Sequence, residues 1–359
     1  MNRRACLALM ASAFALRAGA EIPPSLLAIS DELHPLQESW AAWKALCLMS
    51  DGRVVDGFQG GASHSEGQGY GLVLAALFGD AATCRAVIGW TEHHLAVRED
   101  ALLAWRWRPE ASPQITDRNN ASDGDLFYAW GLVLAAELTD EPAFRQRAVA
   151  IAQDLARTCL AEHPDGSGRL LFLPAATGFA RDEGLVVNPS YYMPLAMTQL
   201  GAATGVARLG QAARDGVLLV DALGAGGPVP DWVLIDAAGP RPAPRDFSPV
   251  SGYEAMRVPL FALWSGQDQS PAVRAFIAAT ADRDDRGIPT VIDLETGAVL
   301  ERSPHSGYAA VAQLARCAAE GGVGSLMPRF DSRQPYYPAT LHLMALVAQI
   351  STYPRCVPI

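Results

Sequence analysis

The chain has 359 residues, half of them hydrophobic and 18% charged, with a formal net charge of −10. That length allows a large buried core in one or two domains, and the negative balance argues against nucleic acid or anionic lipid as a partner. No Lys/Arg-rich run, P-loop or zinc-type Cys/His spacing occurs.

The first element is MNRRACLALMASAFALRAGA. Two arginines, an apolar run over 5–16 and the small-residue end Ala18-Gly19-Ala20 give the order of a secretory signal, too short to span a bilayer. Residues 1–20 are therefore expected to direct export to the periplasm or beyond, and 21–359 to form a single domain. No later segment reads as transmembrane. Outside the signal stand Cys47, Cys84, Cys159, Cys317 and Cys356. Their wide spacing suggests no disulfide framework, although an oxidising compartment permits a bridge. Cys47, Cys84 and Cys159 lie in apolar helical runs and read as small core residues.

Apolar residues recurring at i, i+3, i+4 and i+7 predict helices over 36–50, 66–79, 81–96, 123–138, 141–160, 190–203, 205–222, 253–265, 270–283, 305–319 and 337–351, with a weak one near 321–328. LFYAWGLVLAAEL is apolar nearly all round and implies burial on both sides, whereas EPAFRQRAVAIAQDLART keeps a polar stripe. The helices read as pairs, a wholly apolar member followed by an amphipathic one. About six hairpins of this kind point to an all-α fold with a closed double ring of helices. Long non-helical stretches cover 51–65, 98–122, 161–189, 223–252 and 284–304, a length usually reserved for functional loops. Within them, GRLLFLPA and DWVLIDAAG predict short strands.

Acids stand where long loops meet buried helices: Glu66, then Asp123 and Asp125, then Glu254. Taken singly, each is explained by capping of free N–H groups and the helix dipole. Capping does not require the aromatics that accompany them, namely Tyr70, Phe127, Tyr128 and Tyr253. A sugar site does, because pyranose faces stack on rings. Trp105, Trp107, Tyr191, Tyr192 and Trp232 lie in nearby loops, and the glycines around Glu66 are expected to let a sugar chain approach the backbone. Paired carboxylates suit glycoside cleavage, one donating a proton and the other attacking or activating water. His64, beside this acid, is either a substrate contact or a loop residue. His93 and His94 read as surface residues on an amphipathic helix. No G-x-S-x-G element indicates a serine hydrolase.

Six ordered motifs carry a resemblance: DGRVVD (51–56), SEGQGYGLVLAA (65–76), ASDGDLFYAWGLVLAA (121–136), NPSYYMP (188–194), PDWV (230–233) and GYEAMRVPL (252–260). Together they resemble glycoside hydrolase family 8, and within it the endo-β-1,4-glucanases that accompany bacterial cellulose synthases. The resemblance implies an (α/α)6 barrel, an inverting mechanism, no cofactor or metal, a β-glucan chain as substrate and a cellulose synthase or export complex as partner. Chitosan, xylan or mixed-linkage glucan as substrate, or a glucan-binding role without turnover, are the alternatives.

By the same resemblance Glu66 matches the general acid, and Asp123 an aspartate that grips the sugar and tunes that acid. Glu254 stands at the general base, where the family pattern Y-D-A-x-R has aspartate. Arg257 matches the arginine of that pattern, and Tyr191 a tyrosine holding the attacking water. Trp105, Trp107, Asp231 and Trp232 match stretches lining the cleft, and Tyr70, Asp125 and Tyr253 complete the expected substrate contacts. Glu254 is one methylene longer than the pattern's residue, a displacement of about 1.5 Å. Should the surroundings fail to compensate, Asp246 or Asp231 would be the substitute base.

Overall fold

The computed structural model describes residues 29–358; the export signal read over 1–20 lies outside them. Eleven helices are described: α1 Leu36–Cys47, α2 Ser65–Leu77, α3 Ala81–His94, α4 Ser122–Thr139, α5 Pro142–Thr158, α6 Pro194–Thr204, α7 Ala207–Ala225, α8 Arg257–Trp264, α9 Pro271–Ala279, α10 Ser306–Glu320 and α11 Tyr336–Thr352. Several begin on the expected signals. Proline occupies the first turn of α5, α6 and α9, where its missing N–H costs nothing. Asp80 caps α3, its Oδ1 accepting from Thr83 N at 3.0 Å. The weak helix near 321–328 does not form; Gly321 ends α10 in the left-handed conformation (φ 68°) and irregular backbone follows.

Burial divides the helices as their composition dictates. Every residue of α2 except Glu66 is buried, as are all of α8 and Ser122 to Ala136 of α4. In α11 burial runs from Tyr336 to Gln349 except at Tyr337. The amphipathic α5, α7 and α10 bury one face each. In space α2 packs on α4, α4 on α6, α6 on α8, α8 on α11 and α11 on α1, and Trp43 of α1 returns to Gly71 of α2. The buried-then-wetter pairing holds for α2/α3, α4/α5 and α8/α9, whereas α6 is buried no more fully than α7. It reverses in the last pair, where amphipathic α10 precedes buried α11.

The glycines of α2 serve packing, not the sugar approach expected of them. A Cβ at Gly69 would stand 2.8 Å from Tyr128 N of α4, and one at Gly71 would stand 2.8 Å from the Val54 side chain and 3.4 Å from the Trp43 ring. Across the same contact, a Cβ at Gly124 would meet Ser65 Oγ at 2.2 Å and Glu66 N at 2.6 Å. Two helices lie this close only where side chains are missing from both.

The long loops carry small antiparallel sheets: β1 Ser63–His64 with β2 Arg106–Trp107; β3 Leu160–Glu162 with β4 Leu170–Phe172; β5 Ala180–Arg181, β6 Gly184–Val187, β7 Val233–Asp236 and β8 Gly239–Pro242 in that order; and β10 Ile288–Asp293 between β9 Val250–Ser251 and β11 Val299–Ser303. The strands expected in GRLLFLPA and DWVLIDAAG are β4 and β7. Cys47, Cys84 and Cys159 are buried free thiols. Cys317 and Cys356 form a disulfide that ties α10 to the segment after α11.

Candidate active site

The N-terminal ends of α2, α4, α8 and α11 converge. They bring Glu66, Asp123, Arg257 and Tyr337 together, and Ser190 and Tyr191 join them from the short 3-10 turn ahead of α6. Helix N-termini carry partial positive charge, so several of them facing one point favour carboxylates there. The centre is Arg257, whose side chain is 2% exposed. Its Nη1 donates to Glu66 Oε2, to Asp123 Oδ2 at 3.2 Å and to Tyr70 OH at 3.2 Å. Its Nη2 donates to Glu254 Oε2 and to Ser190 Oγ at 2.8 Å. The guanidinium lies over the Tyr191 ring, 5.6 Å from its centroid. Three carboxylates thus share one cation. Burial pushes the Asp123 carboxyl well above the usual carboxylate range, against the pull of Arg257, and the charges of Glu66 and Glu254 push it further.

Glu254 does not begin a helix as expected. Residues 253–256 form a turn and α8 starts at Arg257. The i, i+3 spacing still brings the carboxylate onto the guanidinium, because the turn is helix-like: Arg257 N donates to Glu254 O at 3.2 Å. The longer side chain finds further partners in Asn188 Nδ2 at 3.1 Å and Ser190 Oγ at 3.4 Å. Both lie in NPSYY; the sequence marked that motif for its tyrosine and gave no sign that Asn188 and Ser190 would hold the acid.

Glu66 and Glu254 face an open cavity of about 550 Å³, whose wall includes Phe58, His64, Tyr253, Tyr308, Tyr336 and Tyr337. Tyr253 is 41% exposed and its OH donates to Glu301 at 2.8 Å. Beyond Arg257 and Tyr191 a second aromatic group continues outward, Trp232 stacking on Phe179 at 5.8 Å and packing on Phe247 at 4.8 Å. Phe179 and Phe247 lie in loops with no periodicity and went unmarked. Trp107 lies in β2, which pairs with β1, and Trp105 immediately precedes it, its O accepting from Ser65 N at 3.0 Å. Trp105 is covered by the Arg106 guanidinium at 4.2 Å, while Trp107 packs on Trp90 and His94.

Other expected contacts lie elsewhere. Asp125 is buried behind the site; Oδ1 accepts from Leu103 N at 2.8 Å and Oδ2 from Asn120 Nδ2 at 2.9 Å, and burial pushes its carboxyl up to about 7. It fastens the loop before α4 and is withdrawn from the cavity. Asp231 is also buried, and its Oδ1 accepts from Gly252 N at 2.7 Å and Ala255 N at 2.9 Å, holding the turn that presents Glu254. Burial pushes its carboxyl up to about 6. Asp246, the other substitute base, is exposed and paired with Arg181 at 2.7 Å. Phe127 and Tyr128 are core residues, Tyr128 OH donating to Glu92 at 2.9 Å; Tyr70 is buried as well, edge-on to Phe127 at 4.6 Å, and reaches the site only through the bond its OH accepts from Arg257. Among the described residues no group of three or more His, Cys, Asp or Glu side chains could hold a metal ion, and no helix is long and apolar enough to cross a membrane.

The model of the family "Glycosyl hydrolases family 8" matches residues 4–351. A protein of Novacetimonas hansenii named "Probable endoglucanase" is 33% identical over 345 residues, covering 94% of this chain and 98% of that one. The structure of an endo-beta-1,4-glucanase from Acetobacter xylinum superposes with a TM-score of 0.77 at 31% identity, covering 90% of this chain and 98% of the other. A family 8 endoglucanase from Klebsiella pneumoniae gives 0.78 at 28% identity, with 88% and 99% covered. With its acids gathered at one aromatic-walled cavity and this likeness running through nearly its whole length, the chain belongs to family 8 of the glycosyl hydrolases.

Proposed function

We propose that the chain is an exported endo-β-1,4-glucanase that cleaves internal bonds of cellulose or cello-oligosaccharides by inversion. The observation that carries this reading is the arrangement around Arg257: two partly exposed carboxylates, Glu66 and Glu254, on separate nitrogens of one guanidinium, both facing an open cavity with tyrosine walls. A guanidinium interposed between two carboxylates keeps them from direct contact, and an inverting enzyme needs about 6.5–9.5 Å between them to seat a water. In this reading Glu66 protonates the leaving oxygen and Glu254 takes a proton from the water. In the same reading Tyr191 and Ser190 orient that water, Arg257 fixes both carboxylates, and Asp123, which accepts from Arg257 Nη1 beside Glu66, grips the sugar next to the scissile bond.

The names of the relatives supply the substrate class: endoglucanases, one of them an endo-beta-1,4-glucanase. An (α/α)6 barrel formed by residues 21–359 as one catalytic domain fits the closed succession of buried helices and the continuous apolar core that reaches from Ile29 to Cys356. Export and service to a cellulose synthase or export complex follow from the signal-like N-terminus and the family resemblance. The test is reducing-end release from carboxymethylcellulose by wild type and Glu66→Gln, with anomeric NMR of early product. Activity with inversion that Glu66→Gln abolishes supports the reading. Retention, or full activity in the variant, refutes the mechanism; binding without turnover refutes the activity.

A further inference from the structure

Phe58 lies in the wall of the cavity that holds Glu66 and Glu254, yet it is 79% exposed. An apolar side chain exposed singly on a surface needs no explanation; one fixed at the mouth of a cavity does. The ring sits in a single 3-10 turn, Gly57–Gln59, capped by Asp56. Asp56 Oδ1 accepts from Phe58 N at 2.9 Å, and Oδ2 accepts from Gln59 Nε2 at 3.1 Å and lies 3.6 Å from His64 Nε2. Asp56 N donates to Ala62 O at 2.9 Å, and Gly61 N returns a bond to Asp56 O at 3.1 Å. Asp56 and His64 are both buried, and His64 stands two residues before the proposed acid. A buried carboxylate and imidazole therefore pin the backbone of the turn relative to Glu66, while the ring it carries points into solvent.

A solvent-facing ring on a pinned turn, continuous with a sugar-sized cavity, presents a flat apolar face to the C–H side of a pyranose. We propose that Phe58 is a stacking platform for a glucosyl unit at the cavity mouth, extending the path of the glucan chain beyond the carboxylates. The proposal rests on the endoglucanase reading above. Because the platform is remote from the reacting bond, it strengthens ground and transition states alike for chains long enough to reach it, so it acts on KM and not on kcat.

The experiment compares wild type, Phe58→Ala and Phe58→Trp on cellotetraose and cellohexaose, with the distribution of labelled products and the melting temperature of each variant. Phe58→Ala raises KM for cellohexaose about fivefold, the loss of roughly 1 kcal/mol of ring contact, with kcat and the cellotetraose KM unchanged. It also shifts the preferred cleavage position, and Phe58→Trp restores both. If wild type is active and Phe58→Ala leaves KM and product pattern unchanged, or raises both KM values equally, the platform is overturned alone. If wild type hydrolyses neither sugar, the endoglucanase reading falls and the platform with it.

Discussion

Glu254→Asp restores the residue that the family pattern has at this position, and it is expected to impair this protein. Removing one methylene withdraws the carboxylate by about 1.5 Å. The contact from Asn188 at 3.1 Å and that from Ser190 at 3.4 Å then pass out of hydrogen-bond range, and the pair with Arg257 Nη2 opens. A base displaced by that distance costs about 10²-fold in kcat, equivalent to about 2.7 kcal/mol of barrier. Glu254 is 37% exposed, so the melting temperature is expected to change little, which separates the kinetic effect from unfolding. Initial rates of reducing-end release are measured for wild type, Glu254→Asp, Asn188→Ala and the double variant. Asn188→Ala is expected to harm wild type and to add almost nothing to Glu254→Asp, because its contact is already lost. Activity of Glu254→Asp within about threefold of wild type, too small for a displaced base, would refute the idea that Asn188 and Ser190 are placed for the longer side chain.

Asp231→Asn keeps an oxygen for Gly252 N and Ala255 N and should stay near wild-type kcat, whereas Asp231→Ala frees the Glu254 turn and should lose about 10²-fold; equal losses in both would assign Asp231 a role through its charge. Asp125→Asn turns an amide donor toward Asn120 Nδ2 and is expected to cost about 1–3 kcal/mol in denaturant titrations. The Asp125 carboxyl lies at about 7 in the folded chain against 3.8 as its ordinary value. The folded state therefore holds a proton that the unfolded chain has released, and this stabilisation is lost as pH rises from about 4 to about 7. The gap between variant and wild type should accordingly be wider at pH 5 than at pH 8, and a pH-independent gap would contradict the assignment. Reducing the Cys317–Cys356 bridge, whose cysteines are 39 residues apart, is expected to cost up to about 4 kcal/mol through loop entropy, read as a lower melting temperature with activity at 25 °C retained.

Periodicity made the helices legible, because burial of α2, α4, α8 and α11 requires nearly unbroken apolar runs. It over-read 321–328, where glycine and proline leave too few residues for a turn to propagate. It also missed the β10–β11 hairpin, whose strand residues carry no clean alternation. Within the site, acids at loop–helix junctions were legible since a functional carboxylate and a cap occupy the same place. Direction was not legible. Asp123 and Asp125 are two residues apart and diverge completely, one onto Arg257 and the other into the loop at Leu103, because neighbouring positions on a helix face different sides. Asp231 could be matched to a motif, but that its oxygen braces backbone N–H groups depends on a turn formed 21 residues later.

The bare faces of α2 bear on what can change in this protein. Gly67, Gly69 and Gly71 each abut a different neighbour: Tyr336 of α11, Tyr128 of α4 and Trp43 of α1. A helix gripped on three sides through its backbone cannot slide or rotate by a side-chain's width without collision, so the height and bearing of Glu66 are not adjustable by single substitutions. Diversification of what the cavity accepts is confined to the loops that overhang it, and an engineer seeking a new polysaccharide preference should randomise 57–60 and 302–305 while leaving the helix of the acid, Asp231 and Glu254 untouched.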